Sequence, residues 1–396
     1  MIQSATFWLV LAAATVVYWL LPARLRLGFL GLASFAYLAA LEPVGVVLLV
    51  GWTIVFFYLA PEAARRGRRG GLILAGLVGA ILGYMIWQKY LPAILAMLAD
   101  ASPGVAIAVP LGISYYTFKL IHYAVESARG NIRDRSLAAF FCYIFLFPIF
   151  TAGPIERFDH FLANIAPRFD WQDMAEGATR IAHGLIKIFV FAKLVQPGIF
   201  GLGLPTNAAA LTAGLGDFAV WQVWGFLILT YIYAYLDFSA YSDIAIGASR
   251  LFGIRILENF NFPILAANIS EFWKRWHMTL AGWCQIYVYM PVLARARSPY
   301  AAVYATFTAM GLWHGATAGW LMWGLYHATC VALYMAWARH ARRYGWWRTA
   351  TRGRARYLGI PFTFLAVSAS YAFSSTNAGG WMAVRVFLTL FGIRTD

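Results

Sequence analysis

Charge and cysteine are scarce in this chain. Only 12% of its 396 residues are charged, where a soluble domain carries about a quarter. That excludes the pair of soluble domains the length alone would allow. The three cysteines, Cys142, Cys284 and Cys330, are scattered through apolar stretches. Their spacing excludes a disulfide framework and a thiolate metal site, and no metal is expected. The sequence has no GxSxG elbow, no HExxH and no P-loop, so a covalent serine enzyme, a zinc protease and a nucleotide hydrolase have no support. No internal repeat is visible, which weighs against repeat-built transporters. The N-terminal stretch lacks a basic n-region and its apolar run continues for a full span. It reads as a first transmembrane helix rather than a cleaved signal.

What the chain has is apolar sequence, 62% of it, in runs of membrane-spanning length. The net charge of +15 sits in short loops beside those runs, as topology-setting charges do, rather than on a nucleic-acid-binding module. Spans are expected at 7–21, 27–41, 44–60 and 72–98, followed by a polar turn at 100–104. The Arg-bearing loops at 24–26, 65–69 and 339–356 fall in the cytoplasm. The expected architecture is an all-α, polytopic membrane protein of about 11 transmembrane or re-entrant helices. It reads as one domain, 1–396, made of N-terminal helices (1–105), a core (106–338), and a basic cytoplasmic loop with closing helices (339–396).

Within this frame the polar residues stand out. Lys119, near a span end, is placed to snorkel to the interface. The stretch 156–173 alternates charges with Phe158, Phe161 and Phe169, the pattern of a surface-lying amphipathic piece. Asp237 and Asp243 follow an uncharged run and read as a polar helix junction that caps a helix or pairs with arginine. Asn268-Ile-Ser-Glu271 resembles a capping box. From it Phe272, Trp276, Leu280, Trp283 and Tyr287 predict one apolar face of a helix, with Glu271 pairing with Lys274 or Arg275. Residues 298–338 hold no formal charge, enough for two spans that break at 315–319. Gly311 and Gly315 form a small-xxx-small pattern for close helix approach.

His277 and His314 are the chemical candidates. An ionisable group inside the bilayer is a functional-site hypothesis by default. A desolvated imidazole stays neutral and keeps a nitrogen able to accept a hydroxyl proton. A thioester donor would need little acid assistance, so one histidine suffices for O-acyl transfer. The alternative, a histidine that only packs helices together, stays open at this level. His122, His183 and His327 read as structural, and His160 and His340 as solvated.

EFWKRWHMTLAGWCQIYVYMPV and GLWHGATAGWLMWGLYH together resemble the signature of the membrane-bound O-acyltransferase family. The resemblance continues upstream through YLDFSAYSDIAIG, ENFNFP, FPIFTAGPIERF and PLGISYYTFKLIHY, in order over roughly 110–330. It points to the bacterial branch, which modifies alginate or teichoic acids. It implies helices around a central tunnel in the bacterial cytoplasmic membrane. His314 would be the general base and His277 a second histidine lining the tunnel on the donor side. Trp273, Trp276, Trp313, Asn259, Asn261 and Gln285 would line the tunnel, and Asp237, Asp243, Glu271 and Arg275 would be structural. Gln285 departs from the family pattern, where arginine is common. The implied donor is an acetyl-CoA or acyl carrier protein thioester on the cytoplasmic side, with no tightly bound cofactor. The implied acceptor is a hydroxyl of an envelope or secreted polysaccharide, reached directly or through an extracytoplasmic partner or second transferase. D-alanyl transfer is the alternative within the family, and a transporter or flippase the alternative outside it.

Overall fold

Where a membrane leaves no water to satisfy backbone groups, helices satisfy their own. The computed structural model describes residues 2–91, 109–132, 134–196, 202–345, 355–375 and 379–394. Among these the only β-pairing is an isolated bridge between Ile165 and Ile254. The turn expected at 100–104 and the middle of the basic loop, 346–354, lie outside the described residues. Among the described residues five helices are long and apolar enough to cross a membrane: Ala23–Leu41, Pro43–Arg65, Arg69–Lys89, Val220–Leu251 and Arg356–Ser374. Shorter apolar helices include Ala5–Leu20 and Gly380–Thr389.

The chain forms two compact units, one of residues 1–185 and 241–258, the other of 186–240 and 259–396. In the first, Ala23–Leu41 packs on Leu137–Phe145, and Pro43–Arg65 packs on Ile113–Ala128. Phe140, Tyr143, Phe145, Phe147 and Phe158 are fully buried there. In the second, Pro299–His314 and Ala318–Arg343 make the most extensive helix pair. Ser298 caps the first of them, accepting from the Ala301 N–H, with Pro299 in the first turn. There proline's missing N–H costs nothing. Thr317 caps the other.

That pair approaches closely for a reason only partly visible in sequence. A Cβ on Gly311 would run into the Trp320 carbonyl, and one on Gly324 into the Phe307 carbonyl. The glycine facing Gly311 is thus Gly324 of the second helix. Gly315 has left the helix in an extended conformation, and a Cβ there would meet the Trp320 ring.

Several polar expectations are corrected. Lys119 does not snorkel: it is buried, donates to the Tyr143 carbonyl at 2.9 Å and lies 5.2 Å from the Tyr143 ring centroid. The 156–173 stretch is not merely surface-lying. Glu156 is fully buried and accepts from the Arg157 and Leu257 N–H groups, each at 2.8 Å, and lies 2.9 Å from His160 Nδ1. His160 is therefore bonded rather than simply solvated. Asp173, also buried, accepts from Arg250 and Arg255. Burying a carboxylate is costly unless paired, and these two carry their partners. The expected junction at Asp237 and Asp243 is absent: both lie inside the unbroken 32-residue helix Val220–Leu251. The arginine pairing expected of these acids is found at Asp243, which pairs with Arg180 at 2.5 Å.

Candidate active site

The site lies in the second unit and is built on a broken helix. Asn268 caps Ile269–Trp273 through the Glu271 N–H at 2.8 Å. Glu271 reaches back to the Ala267 N–H and binds Arg275 and Arg356 at 2.6 and 2.5 Å. The helix predicted to run on to Tyr287 stops at Trp273. A second one, Met278–Cys284, starts after His277, which has φ 44° and ψ 51°. His277 is one of three non-glycine residues with positive φ among the described residues. A left-handed conformation costs an L-residue about 1–2 kcal/mol, so the surroundings must hold it.

Asn259 supplies that hold. Its backbone carbonyl accepts the Met278 N–H at 2.9 Å. Its side-chain Oδ1 accepts the Thr279 hydroxyl at 2.9 Å and faces the Thr279 N–H at 3.4 Å. An N–H only donates, so the atom facing Thr279 is the amide oxygen rather than the nitrogen. The same oxygen lies 3.0 Å from His277 Nδ1. Nδ1 must therefore carry the proton, and Nε2 carries the lone pair. That Nε2 is buried and has no hydrogen-bond partner among the described residues. The ring is wedged edge-on against Phe238 at 4.8 Å and Trp313 at 6.2 Å. The result is a neutral imidazole of one tautomer with an open acceptor nitrogen.

His314 sits at the last position of Pro299–His314 and is half-buried. Its ring stacks on Trp320 with centroids 4.5 Å apart and planes at 14°. Trp313 and Trp323 meet it edge-on at 4.6 and 5.3 Å. Three indoles thus fix the ring plane. Trp313 touches both histidine rings.

The other candidates divide. Trp273 is buried, and its indole N–H has no acceptor among the described residues. Trp276 packs among Phe260, Phe272, Tyr231 and Tyr235 and buttresses the turn before His277. Asn261 is exposed, and its N–H donates to the Arg275 carbonyl. Gln285 is exposed and lines a cavity of about 430 Å³ with Trp273, Met278 and Met310. Asp237 lies next to Phe238, the ring against His277. No group of three or more metal-type ligands occurs among the described residues.

Sequence reasoning set His327 aside and did not single out Thr279 or Phe238. His327 is buried between Trp273 at 5.1 Å, Trp323 at 4.8 Å and the Phe272 and Phe307 rings. Its signal was present in WLMWGLYH, where Trp320, Trp323 and His327 recur at three- and four-residue steps. That spacing puts them on one helix face.

The pattern of the membrane-bound O-acyltransferase family matches residues 35–374. The chain is 32% identical over 340 residues to a probable alginate O-acetylase of Azotobacter vinelandii, covering 81% of this chain and 65% of that protein. It is 31% identical over 339 residues to the probable alginate O-acetylase of Pseudomonas aeruginosa, covering 81% and 63%. A teichoic acid D-alanyltransferase of Bacillus subtilis is 28% identical over 338 residues, covering 80% and 82%. The chain thus spans just under two-thirds of the two alginate relatives and most of the D-alanyl one. With five helices among the described residues suited to crossing a bilayer, it is a multi-pass membrane protein. The match takes in both site histidines and the aromatic shell that holds them, and on it the chain belongs to the membrane-bound O-acyltransferase family.

Proposed function

We propose that this protein is an O-acyltransferase that moves an acyl group from a cytoplasmic thioester to a hydroxyl of a cell-envelope or secreted polysaccharide, directly or through a partner protein. Acetyl is the favoured group. The observation that carries the reading is the pair of imidazoles held against one indole, Trp313. His314 is the general base. As the acceptor oxygen attacks the thioester carbonyl carbon, its proton passes to His314. The carbon–sulfur bond then breaks, and the thiolate leaves with that proton to give the free thiol. Neither a covalent enzyme intermediate nor a metal is needed. His277 offers only a lone pair at Nε2, so it orients a donor group, such as an amide N–H of the thioester arm or the acceptor hydroxyl.

The test is transfer of a radiolabelled acetyl group in membrane vesicles, followed as base-labile ester. Activity of His314→Gln at the wild-type level, in protein that still folds, would falsify the assignment. D-alanyl transfer is the second reading, favoured by coverage of 82% of the Bacillus subtilis relative. Mass spectrometry of the released ester separates the two groups.

A further inference from the structure

The first unit carries a patch of cations and exposed apolar side chains that acyl transfer does not use. Trp19 lies in the last turn of Ala5–Leu20, and its indole N–H donates to the Leu251 carbonyl at 2.8 Å. The Arg26 guanidinium sits 4.7 Å from the Trp19 ring centroid, a cation–π contact. Its Nε and Nη1 donate to the Leu21 and Pro167 carbonyls at 3.1 and 3.2 Å. Phe169 meets Trp19 edge-on at 5.3 Å, and Trp171 meets Phe169 edge-on at 5.0 Å. The turn that carries Arg24 and Arg26 is thus fastened to the loop that carries Arg168. Arg24 and Arg168 are exposed and make no ion pair among the described residues. Of the acids at 167–176, Asp173 pairs with Arg250 and Arg255, and Glu176 with Arg250. Only Asp170 is left to offset the three arginines. Leu20 is 79% exposed and Trp171 77%, with Leu25 and Phe169 exposed as well. Arginine-bearing turns face the cytoplasm, and Trp rings settle at headgroup level. A soluble anion would meet the arginines but leave these apolar groups in water. The matching partner has an anionic head and apolar chains.

We infer that this patch binds one anionic phospholipid of the cytoplasmic leaflet. Arg24, Arg26 and Arg168 hold the headgroup phosphate, and the acyl chains lie along Leu20, Leu25 and Trp171. The lipid adds a third link between the 21–26 turn and the 167–171 loop, beside the Arg26–Pro167 bond and the Trp19–Phe169 contact. The site stands apart from the reaction and is independent of the acyl-transfer reading. Three arginines offset by one aspartate leave a net of two positive charges. Each is worth about a factor of five near an anionic lipid surface, which predicts a preference of about 10- to 30-fold over a zwitterionic lipid.

The experiment is native mass spectrometry of the purified full-length protein in detergent micelles, titrated with phosphatidylglycerol or phosphatidylcholine of the same chains. The wild type should retain phosphatidylglycerol at a concentration about 10- to 30-fold lower than phosphatidylcholine. The double variant Arg24→Gln, Arg168→Gln changes only exposed side chains. It should fold normally and retain one phosphatidylglycerol fewer than the wild type. Trp171→Ala should weaken both lipids alike, because it removes a chain contact and no charge. Hydrogen exchange in nanodiscs locates the lipid. Phosphatidylglycerol should slow exchange at 166–172 in the wild type and leave the double variant unchanged. Glycerol phosphate, a head without chains, should not displace the lipid. Equal affinity of the wild type for the two lipids overturns the site, as does a wild-type lipid count in the double variant. Displacement by glycerol phosphate overturns it too, since the patch would then hold a free phosphate rather than a lipid.

Discussion

Removing the Asn259 side chain tests how the site is held. In Asn259→Ala the His277 Nδ1–H loses its acceptor at 3.0 Å and the Thr279 hydroxyl loses one at 2.9 Å. The Met278 N–H keeps the backbone carbonyl. Each buried donor so deprived costs about 1–3 kcal/mol, so the substitution should destabilise the fold by about 2–6 kcal/mol. That is a large fraction of a typical 5–15 kcal/mol stability. Thr279→Val removes one of the two donors in advance. The double variant should then be less damaged than the two single changes combined, by about 1–2 kcal/mol. Reversible unfolding of the purified protein in mixed micelles measures the cycle. Nitrogen NMR of labelled histidine reads the second consequence. The wild-type His277 ring should be protonated at Nδ1 alone, and the variant should show both tautomers. Single-variant effects that add within about 0.5 kcal/mol, with an unchanged tautomer, would refute the clamp.

His314→Gln should lower the rate of ester formation by about 10²- to 10⁴-fold, the usual worth of a general base, while donor binding persists. Gly324→Ala should destabilise by about 1–3 kcal/mol, since its Cβ would meet the Phe307 carbonyl, as overpacking does. Gly282→Ala, in open space, should be neutral or stabilise by up to about 1 kcal/mol; thermal unfolding compares the two. His160 has its pKa raised above the ordinary 6.5 by its bond to Glu156. The bond's contribution should be complete below about pH 6.5 and fade as pH rises through the raised value. Partial exposure keeps it below about 1 kcal/mol. The stability gap between wild type and His160→Gln should therefore be widest at about pH 6 and shrink by about pH 9.

Legibility followed the range of the interactions. Cap residues act on N–H groups two or three positions away, so Asn268 and the break after His314 were readable from local sequence. The Glu271–Arg275 pair was readable for the same reason, being one helical turn apart. The stripe Phe272, Trp276, Leu280 suggested a continuous helix because periodicity cannot register a single residue turned to positive φ. What turns His277 is Asn259, 18 residues upstream. Lys119 was misplaced because the carbonyl that receives it is 24 residues away. Gly311 was recognised as a contact glycine, but its partner on the next helix was not.

From composition and local pattern alone, the chain reads as a helical membrane protein with His314 and His277 as the candidates for its chemistry. Apolar length and loop charge are properties of single segments, and each segment meets the bilayer with them unaided. The tautomer of His277 and the three-indole setting of His314 belong to the tertiary structure. Each depends on atoms that only folding brings within a few ångströms, where a hydrogen bond or a ring contact has its strength.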